Sequence, residues 1–372
     1  MEENKPIKVL MTADTVGGVW TYSMELCKAL APHNVQVALV TTGARLAPWQ
    51  WDEVIALSNV KVYETDYLLE WMENPWRDID ESGDYLLQLE NDLQPDIIHL
   101  NCYAYGSLAW KAPVVMVAHS DVYSWFISVK NDDPPAEWNE YFFRVKSGLE
   151  KATLVVAPSS AMMDFVTNIY APQTNKQVIY NARQPQLFSR AQKQETIFSM
   201  GRIWDEAKNV KLLVQAAKNI NYPIKIAGEA AFEHNVTDVY NPHVEYLGKL
   251  NSTDISKALS TASIYVLPAK YEPFGLSALE AALSGCALVL GDIPSLREVW
   301  QDNAVYVPTD NEEALADCIN NLMSNKMLLE EYASKAFAHA QQFTPAAMAR
   351  QYMQVYQQHI QLHQSTEAKA AS

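Results

Sequence analysis

The sequence predicts an α/β protein built of two doubly wound domains, each with a mostly parallel sheet covered by helices. It has 372 residues, more than twice the roughly 150 residues that serve as a prior for one domain. Short apolar runs alternate with helical patterns in both halves, which is typical of parallel strands joined by crossover helices. Between the halves, residues 181–195 are rich in Gln, Arg and Pro and interrupt the alternation.

The apolar runs define the strands expected in each domain. The first half contains five, at residues 7–11, 35–41, 96–100, 114–118 and 154–157. The second half contains five more, at residues 196–200, 224–227, 244–247, 264–267 and 287–290. From Glu312 onward the sequence is compatible with helices, apart from a break at 343–345. The expected domains are therefore 1–185, completed by a C-terminal helix at 346–364, and 190–345.

Composition argues against several classes of partner. Lys and Arg number 28 against 44 Asp and Glu, giving a net charge of −16, so a partner bound through phosphate backbone charge, such as a nucleic acid, is not expected. The acidic residues are densest over 52–96, so that face should avoid anionic lipid. No window approaches the roughly 18 uninterrupted apolar residues of a membrane span, so any membrane contact should be at most peripheral. The four cysteines lie far apart, without a C-x-x-C pair. This spacing predicts reduced thiols, a cytoplasmic location and no zinc site.

A glycine turn follows the first expected strand. Gly17 and Gly18 precede a helix predicted to continue to Leu30, and the free backbone N–H groups at a helix N-terminus favour an anion. The turn lacks the spacing of a dinucleotide fingerprint and of a P-loop. A phosphate site and a plain strand-to-helix turn both remain open.

Two cations follow the first expected strand of the second domain. Gly201-Arg202 ends that strand, and Lys208-Asn209 begins the next helix. An Arg fork and a Lys ammonium both suit phosphate oxygens, through charge-assisted hydrogen bonds. Solvent-exposed charges on a loop are the alternative interpretation.

The strongest motif is YEPFGLSALEA at residues 271–281. Pro273 and Gly275 predict a turn, and a helix should begin at Leu276 with free N–H groups at its start. Glu272 lies in the turn. Glu280 lies about one turn into the helix, on a stretch rich in Ala and Leu, where a carboxylate is costly without a partner such as ligand hydroxyls.

With these motifs the sequence resembles the family 4 retaining glycosyltransferases, which have the GT-B fold of two Rossmann-like domains with a cleft between them. The resemblance covers essentially the whole chain. The residues that carry it are Gly17-Gly18-Val19, Gly201-Arg202 with Lys208-Asn209, and the E-x7-E element of Glu272 and Glu280. The sequence departs from the family pattern at Cys286-Ala287, where Pro-Val is common, and at 291–298, which lacks paired glycines. The second departure makes Arg297 a further candidate ligand.

The resemblance implies a hexosyltransferase that moves a sugar from a UDP- or GDP-linked donor to a carbohydrate or lipid-linked acceptor, in polysaccharide or glycoconjugate biosynthesis. It implies that Arg202 and Lys208 clamp the donor diphosphate, that Glu272 binds the transferred sugar, and that Glu280 accepts hydrogen bonds from ribose. Two groups of residues follow from it. The catalytic group is Glu272, Arg202, Lys208 and His119, and the donor-binding group is Gly17, Gly18, Phe274, Gly275, Leu276, Ser277, Glu280 and Arg297.

Two other functions remain open for the same motifs: a nucleotide-sugar epimerase of the same fold, and a noncatalytic nucleotide-sugar-binding protein. No cofactor besides the nucleotide-sugar co-substrate is expected. Asp78-Ile79-Asp80 spells the D-x-D motif of metal-dependent glycosyltransferases, but it lies in a polar run that we interpret as a solvated loop, so no metal is expected. Trp49, Trp51, Trp71 and Trp76 could stack on acceptor sugars, anchor at a membrane interface or serve packing.

Overall fold

Two units make up the chain, and each contains a parallel sheet. The computed structural model describes residues 5–229, 231–232, 235–236 and 241–370. Unit 1 comprises Met1–Ser124, Asp133–Ala182 and Pro345–Ser372, and unit 2 comprises Trp125–Asp132 and Arg183–Thr344.

The strands, in chain order, are β1 Ile7–Asp14, β2 Val35–Thr42, β3 Val60–Glu64, β4 Ile97–Leu100, β5 Val114–Val117, β6 Leu154–Ala157, β7 Asn175–Val178, β8 Gln194–Met200, β9 Ile224–Ala227, β10 Ala231–Phe232, β11 Asn235–Val236, β12 Val244–Gly248, β13 Ala262–Leu267, β14 Ala287–Gly291 and β15 Val305–Val307. The helices are α1 Gly18–Leu30, α2 Pro48–Ile55, α3 Trp76–Leu93, α4 Val122–Lys130, α5 Asn139–Lys151, α6 Ser160–Tyr170, α7 Val210–Ala216, α8 Ser252–Thr261, α9 Leu276–Leu283, α10 Pro294–Trp300, α11 Glu312–Ser324, α12 Lys326–Ala340 and α13 Pro345–Ala370.

Both large sheets are parallel throughout. The sheet of unit 1 has the strand order β3-β2-β1-β4-β5-β6-β7. The sheet of unit 2 has the order β12-β9-β8-β13-β14-β15, and β10 and β11 form a separate antiparallel pair. The expectation of two parallel-sheet α/β domains is therefore confirmed.

The central strands of unit 2 are apolar on both faces because helices cover both sides of the sheet. Tyr265 and Leu267 pack with residues of α9, α10 and α12 on one face. Ile264 and Val266 pack with residues of α7 and α11 on the other. Burial of both faces gives continuous apolar runs instead of alternating ones, and this is why the sequence revealed these strands.

All ten apolar runs coincide with strands, and only Asp96 and Ala118 lie one residue outside them. Three strands of the large sheets, β3, β7 and β15, and the short pair β10 and β11 were not predicted. The three missed strands lie at sheet edges. Their sequences are VKVYE, NKQV and VYV, and β7 is only partly buried. An edge strand is not enclosed by neighbours on both sides, so its sequence is mixed or short and resembles a loop.

The interpretation of Asp78-Ile79-Asp80 as a solvated loop is wrong, because these residues lie within the first two turns of α3. Asp78 Oδ2 accepts a hydrogen bond from the backbone N–H of Leu68 at 3.0 Å. Asp80 forms an ion pair with Arg144 at 2.5 Å. The helix is strongly amphipathic, and its polar face produced the apparent loop composition.

The C-terminal helix α13 packs within unit 1 through a buried network of ring hydroxyls. Tyr22 donates to the hydroxyl of Tyr352 at 2.6 Å, so its oxygen accepts from Nε2 of His99, 3.1 Å away. Nδ1 of His99 then accepts from the hydroxyl of Tyr356 at 2.7 Å. The network thus assigns the proton of a neutral His99 to Nε2.

Stability should fall as the pH drops, because burial lowers the pKa of His99 to about 3. An unfolded histidine has a pKa of about 6.5, so below that pH the unfolded chain binds a proton that the folded chain excludes. The contribution is fully present above pH 6.5 and is lost as the pH falls toward 3. We expect His99 to contribute about 1.4 kcal/mol to the stability lost between pH 7.5 and 5.5. Urea unfolding measures this contribution together with that of His119, whose pKa burial also lowers to about 3.

The pKa values of the buried carboxyls of Glu70 and Asp121 are raised by burial. These two carboxyls act in the opposite sense, because the folded chain binds their protons more tightly than the unfolded chain does, and they reduce the net loss of stability. A control substitution at the exposed His243, His243→Asn, should leave the pH dependence intact. A stability independent of pH across this window would contradict the assignment.

A second prediction concerns Gly275, the residue before α9, which has φ of +91°. A Cβ there would lie 3.2 Å from Cδ2 of Leu296 and 3.6 Å from Cγ of Glu272. Gly248 also has a positive φ, +65°, but a Cβ would meet nothing within 4 Å. Gly275→Ala should therefore cost more than the roughly 1–2 kcal/mol of backbone strain that Gly248→Ala costs, as measured by urea unfolding. Equal losses would show that the contact with Leu296 relaxes freely.

Candidate functional site

Three candidate residues of unit 2, Arg202, Lys208 and Glu272, lie on two loops at the carboxyl edge of its sheet. One loop follows β8 and carries Arg202 and Lys208, and the other follows β13 and carries Glu272. Strands β8 and β13 pair directly and in parallel, with Ile197 opposite Ile264. The two loops therefore leave the sheet side by side, at the edge where open α/β sheets bind ligands.

Lys208 and Glu272 form the central contact of this site. Nζ of Lys208 lies 2.5 Å from Oε2 of Glu272, with the two side chains only 21% and 12% exposed. The aliphatic part of Lys208 runs beside Gly201, where a Cβ would lie 3.6 Å from its Cγ. The structure thus joins a cation and a carboxylate that the sequence placed on separate motifs.

The turn that carries Glu272 is fixed at both its side chain and its backbone. Oε1 of Glu272 accepts hydrogen bonds from the backbone N–H groups of Gly275 at 3.0 Å and of Phe274 at 3.5 Å. The hydroxyl of Ser295, at the start of α10, donates to the backbone carbonyl of Glu272 at 2.5 Å. The backbone N–H groups of Phe274 and Gly275, which were expected to face a ligand, therefore bind the side chain of Glu272 in this structure. Ser295 also belongs to the site and was not predicted from the sequence.

Tyr265, buried in β13, is close to both glutamates of the motif. Its hydroxyl donates to the carbonyl of Met200 at 3.3 Å. Burial raises its pKa, a hydrogen bond with Ser277 acts in the opposite direction, and the charges of Glu280 and Glu272 raise the pKa further. The hydroxyl of Tyr265 is therefore close enough to both Glu280 and Glu272 for their charges to affect its pKa.

Arg202 is held by a buried carboxylate on its own loop. Its Nη2 donates to Oδ2 of Asp205 at 2.9 Å, and Oδ1 of Asp205 accepts from the backbone N–H of Ala207 at 3.0 Å. Nδ2 of Asn209 crosses to the other loop and donates to the carbonyl of Pro268 at 2.8 Å. Asp205 therefore fixes both the side chain of Arg202 and the backbone of this loop, although no sequence signal singled it out.

Glu280 has a cationic partner from outside the motif. Nε of Arg183 lies 2.8 Å from Oε1 of Glu280, and each side chain is only 14% exposed. Arg183 lies in the segment 181–195 that composition predicted to be a linker. It is a third residue of the site, after Ser295 and Asp205, that the sequence did not predict, and its basic side chain beside Pro and Gln was the only signal that pointed to it.

Arg297, the further candidate ligand, forms a surface ion pair. Its side chain is 54% exposed and binds both oxygens of Asp292, with Nη2 at 2.7 Å from Oδ2. Its guanidinium lies 4.4 Å from the ring centroid of Tyr306. The pKa of Asp292 is lowered, chiefly by the hydrogen bond from Arg297.

Unit 1 carries the glycine turn and His119. Gly17 is the N-cap of α1, with φ of +76°, and Gly18 is the first residue of that helix. The backbone N–H of Val16 donates to Oδ1 of Asp14 at 2.8 Å, and the side chain of Gln50 donates to the carbonyl of Thr15 at 3.1 Å. These contacts fix the turn at the carboxyl end of β1.

His119 is a neutral base in this structure. Asn101 donates through Nδ2 to the carbonyl of Thr12 at 2.6 Å, so its Oδ1 faces Nε2 of His119 at 2.7 Å. This orientation assigns the proton of His119 to Nε2 and makes Nδ1 an acceptor. Burial lowers the pKa of His119 to about 3, so the ring is uncharged near neutral pH.

The four tryptophans of the acidic segment differ in exposure. Trp49, on α2, is half-exposed and contacts Trp20 edge-on with ring centroids 6.5 Å apart. Trp76 lies under the guanidinium of Arg144, 4.9 Å from its ring centroid. Trp49 is therefore the tryptophan of this segment with the most open surface, since Trp51, Trp71 and Trp76 are only partly exposed.

The part of the chain that the structure describes holds neither a metal-binding cluster nor a helix that could span a membrane. Among residues 5–229, 231–232, 235–236 and 241–370, no three His, Cys, Asp or Glu side chains group closely enough to hold a metal ion. Within the same residues, no helix combines the length and the apolar character that crossing a membrane requires. The four cysteines are free thiols.

The comparisons with known proteins assign the chain to a family. Residues 16–186 match the model of Glycosyltransferase Family 4, and residues 182–339 match that of Glycosyl transferases group 1. A phosphatidyl-myo-inositol mannosyltransferase of Mycobacterium leprae is 26% identical over 183 residues, which are 46% of this chain and 49% of that protein. This alignment spans about half the length of that relative.

Solved structures resemble the chain over nearly its whole length. Sucrose-phosphate synthase from Thermosynechococcus elongatus has a TM-score of 0.80 at 17% identity, covering 95% of this chain and 98% of that one. HepE of Anabaena, solved in complex with UDP-glucose, has a TM-score of 0.75 at 17% identity and covers 95% and 100%. Identities this low show the fold, which is GT-B. Since the two family models together span residues 16–339, the chain belongs to the family 4 glycosyltransferases.

Proposed function

We propose that the protein is a retaining hexosyltransferase that moves a sugar from a UDP- or GDP-linked donor to a carbohydrate or lipid-linked acceptor. The observation that carries the proposal is the ion pair of Lys208 and Glu272 beside the N-terminus of α9. The UDP-glucose complex of HepE and the name of the mannosyltransferase relative support a nucleotide-sugar donor. The acceptor product belongs to polysaccharide or glycoconjugate biosynthesis, in a reducing compartment that suits four free thiols.

In this proposal unit 2 binds the donor. Arg202 and Lys208 neutralise the diphosphate, and the positive end of α9 adds to their field. Glu272 accepts hydrogen bonds from the transferred sugar, and Glu280 accepts them from ribose. The carboxylates suit these tasks because each offers about four acceptor sites to hydroxyl donors.

The proposed transfer needs no second carboxylate. The acceptor oxygen forms a bond to the anomeric carbon on the face from which the diphosphate leaves, while the bond between that carbon and the phosphate oxygen breaks. The acceptor proton passes to the leaving diphosphate, and the configuration is retained. Both oxygens of Glu272 have partners, Lys208 and Gly275, which favours this route over a double displacement with Glu272 as nucleophile.

The resemblance extends the proposal to Gly17, Gly18, His119 and Arg297. A neutral His119 with an acceptor at Nδ1 suits a sugar hydroxyl better than a phosphate, because it carries no positive charge. No metal and no further cofactor take part in the proposed reaction.

The donor and the diphosphate clamp are tested together by nucleotide binding. UDP or GDP should raise the Tm of the wild-type protein, because a ligand of the folded state stabilises it by mass action. Lys208→Ala should weaken binding of that nucleotide by about 10- to 100-fold, since it removes charge-assisted hydrogen bonds. The matched control is Lys211→Ala, an exposed lysine three residues along. Unchanged affinity in Lys208→Ala would refute the clamp, and no response to either nucleotide would refute the proposed donor.

The role of Glu272 is tested by separating turnover from binding. Glu272→Gln keeps an acceptor oxygen but loses the charge that faces Lys208, so release of nucleoside diphosphate with a panel of glycoside acceptors should fall on the order of 100-fold. Nucleotide affinity should change much less. Glu313→Gln, at an exposed position on α11, is the control. A collapse of nucleotide binding in Glu272→Gln would overturn the assignment, and a sugar product formed without any acceptor would indicate the epimerase.

A further inference from the structure

Arg183 is the first residue of the long segment of unit 2 and is held by several contacts within that unit. Its guanidinium lies against Glu280, with Nε 2.8 Å from Oε1, and neither side chain is more than 14% exposed. Its backbone N–H donates to the carbonyl of Phe343 at 3.2 Å. The face of its guanidinium lies 5.3 Å from the ring centroid of Phe188. Arg183 is therefore held at its backbone, along its face and at its charged end.

A buried ion pair of this kind contributes little net stability to a fold. Removing two charges from water costs several kcal/mol per ion, and apolar residues of similar volume stabilise a core as well or better. The carboxylate in question, that of Glu280, lies on α9, whose buried residues are mostly Ala and Leu. Retention of both charges at this position is explained if the orientation of the carboxylate matters.

We propose that Arg183 is a positioning residue that fixes the carboxylate of Glu280 for the ribose diol of the donor nucleotide. This inference rests on the proposed function, in which Glu280 receives the ribose hydroxyls. A carboxylate accepts several hydrogen bonds at once, so one contact with an arginine and two with a diol are compatible. A carboxylate that is already oriented loses less conformational freedom when the ligand arrives, and binding is correspondingly tighter.

The ion pair also explains why an arginine is required. The planar guanidinium lies over the ring of Phe188 and at the same time forms the ion pair with Glu280. A lysine could supply the charge but not the stacked, fixed orientation. Arg183→Lys should therefore retain part of the tighter binding of the ribonucleotide. Arg183→Met, which keeps a side chain of similar apolar length but no charge, should retain none of it.

The test compares nucleotides that differ only in the diol. The probes are UDP and GDP, each with its 2′,3′-dideoxy analogue, titrated into the full chain by calorimetry. Arg183→Met should weaken the ribonucleotide by about 10-fold and leave the dideoxy analogue within about twofold, because the analogue makes no contact that depends on Glu280. Arg183→Lys should lie between Arg183→Met and the wild type.

Two further variants make the result specific. Arg190→Met removes another arginine of the same segment, which stacks on Phe337 with 4.0 Å to the ring centroid, and both affinities should stay at wild-type values. Glu280→Gln should itself abolish the preference for the ribonucleotide over its dideoxy analogue. Adding Arg183→Met to Glu280→Gln should change neither affinity further, since both residues act through the carboxylate of Glu280.

Several outcomes would overturn the inference. Equal weakening of ribonucleotide and dideoxy analogue in Arg183→Met would indicate a general structural role. Tighter ribonucleotide binding would show that Arg183 competes with ribose for Glu280. If wild-type protein prefers the diol and Arg183→Met keeps that preference, the inference fails while the proposed function stands. If neither UDP nor GDP binds the wild type, the proposed function fails and the inference fails with it.

Discussion

The direct pairing of β8 with β13 is the constraint on which the site of unit 2 depends. Parallel strands that are neighbours in a sheet end at the same edge, so the loops that follow them meet regardless of their separation along the chain. Lys208 and Glu272 are 64 residues apart in sequence and 2.5 Å apart in space for this reason. The apolar residues of β13, buried on both faces of the sheet, fix the strand from which the glutamate turn leaves.

Every cation of the unit 2 site has a carboxylate partner in this structure. Lys208 pairs with Glu272, Arg202 with Asp205, and Arg183 with Glu280. These pairs keep charges compensated in a largely buried region, where an isolated charge is costly. In the proposed function, a diphosphate that binds here replaces these carboxylates as the partner of the cations. Such an exchange costs less reorganisation than ordering mobile side chains.

The sequence predicted the fold well because buried parallel strands and helix starts are local patterns. The run at 264–267 and the turn of Pro273 and Gly275 are each visible within a few residues. The edge strand β7, with the sequence NKQV, was missed because its partly exposed residues carry no apolar signal. The roles of Arg183 and Ser295 were missed for another reason: they meet Glu280 and Glu272 only through tertiary contacts, 97 and 23 residues away along the chain.

The hydrogen bond between Arg183 and Phe343 has a consequence for how this gene could be rearranged. It brings together the first and the penultimate residues of the long segment 183–344 of unit 2. A module whose ends already touch can be inserted into a host chain, or exchanged for a homologous module, without stretching either junction. The segment 183–344 could on this basis be replaced by recombination at two adjacent splice points, while the remainder of the polypeptide, including residues 125–132 of unit 2, is inherited unchanged.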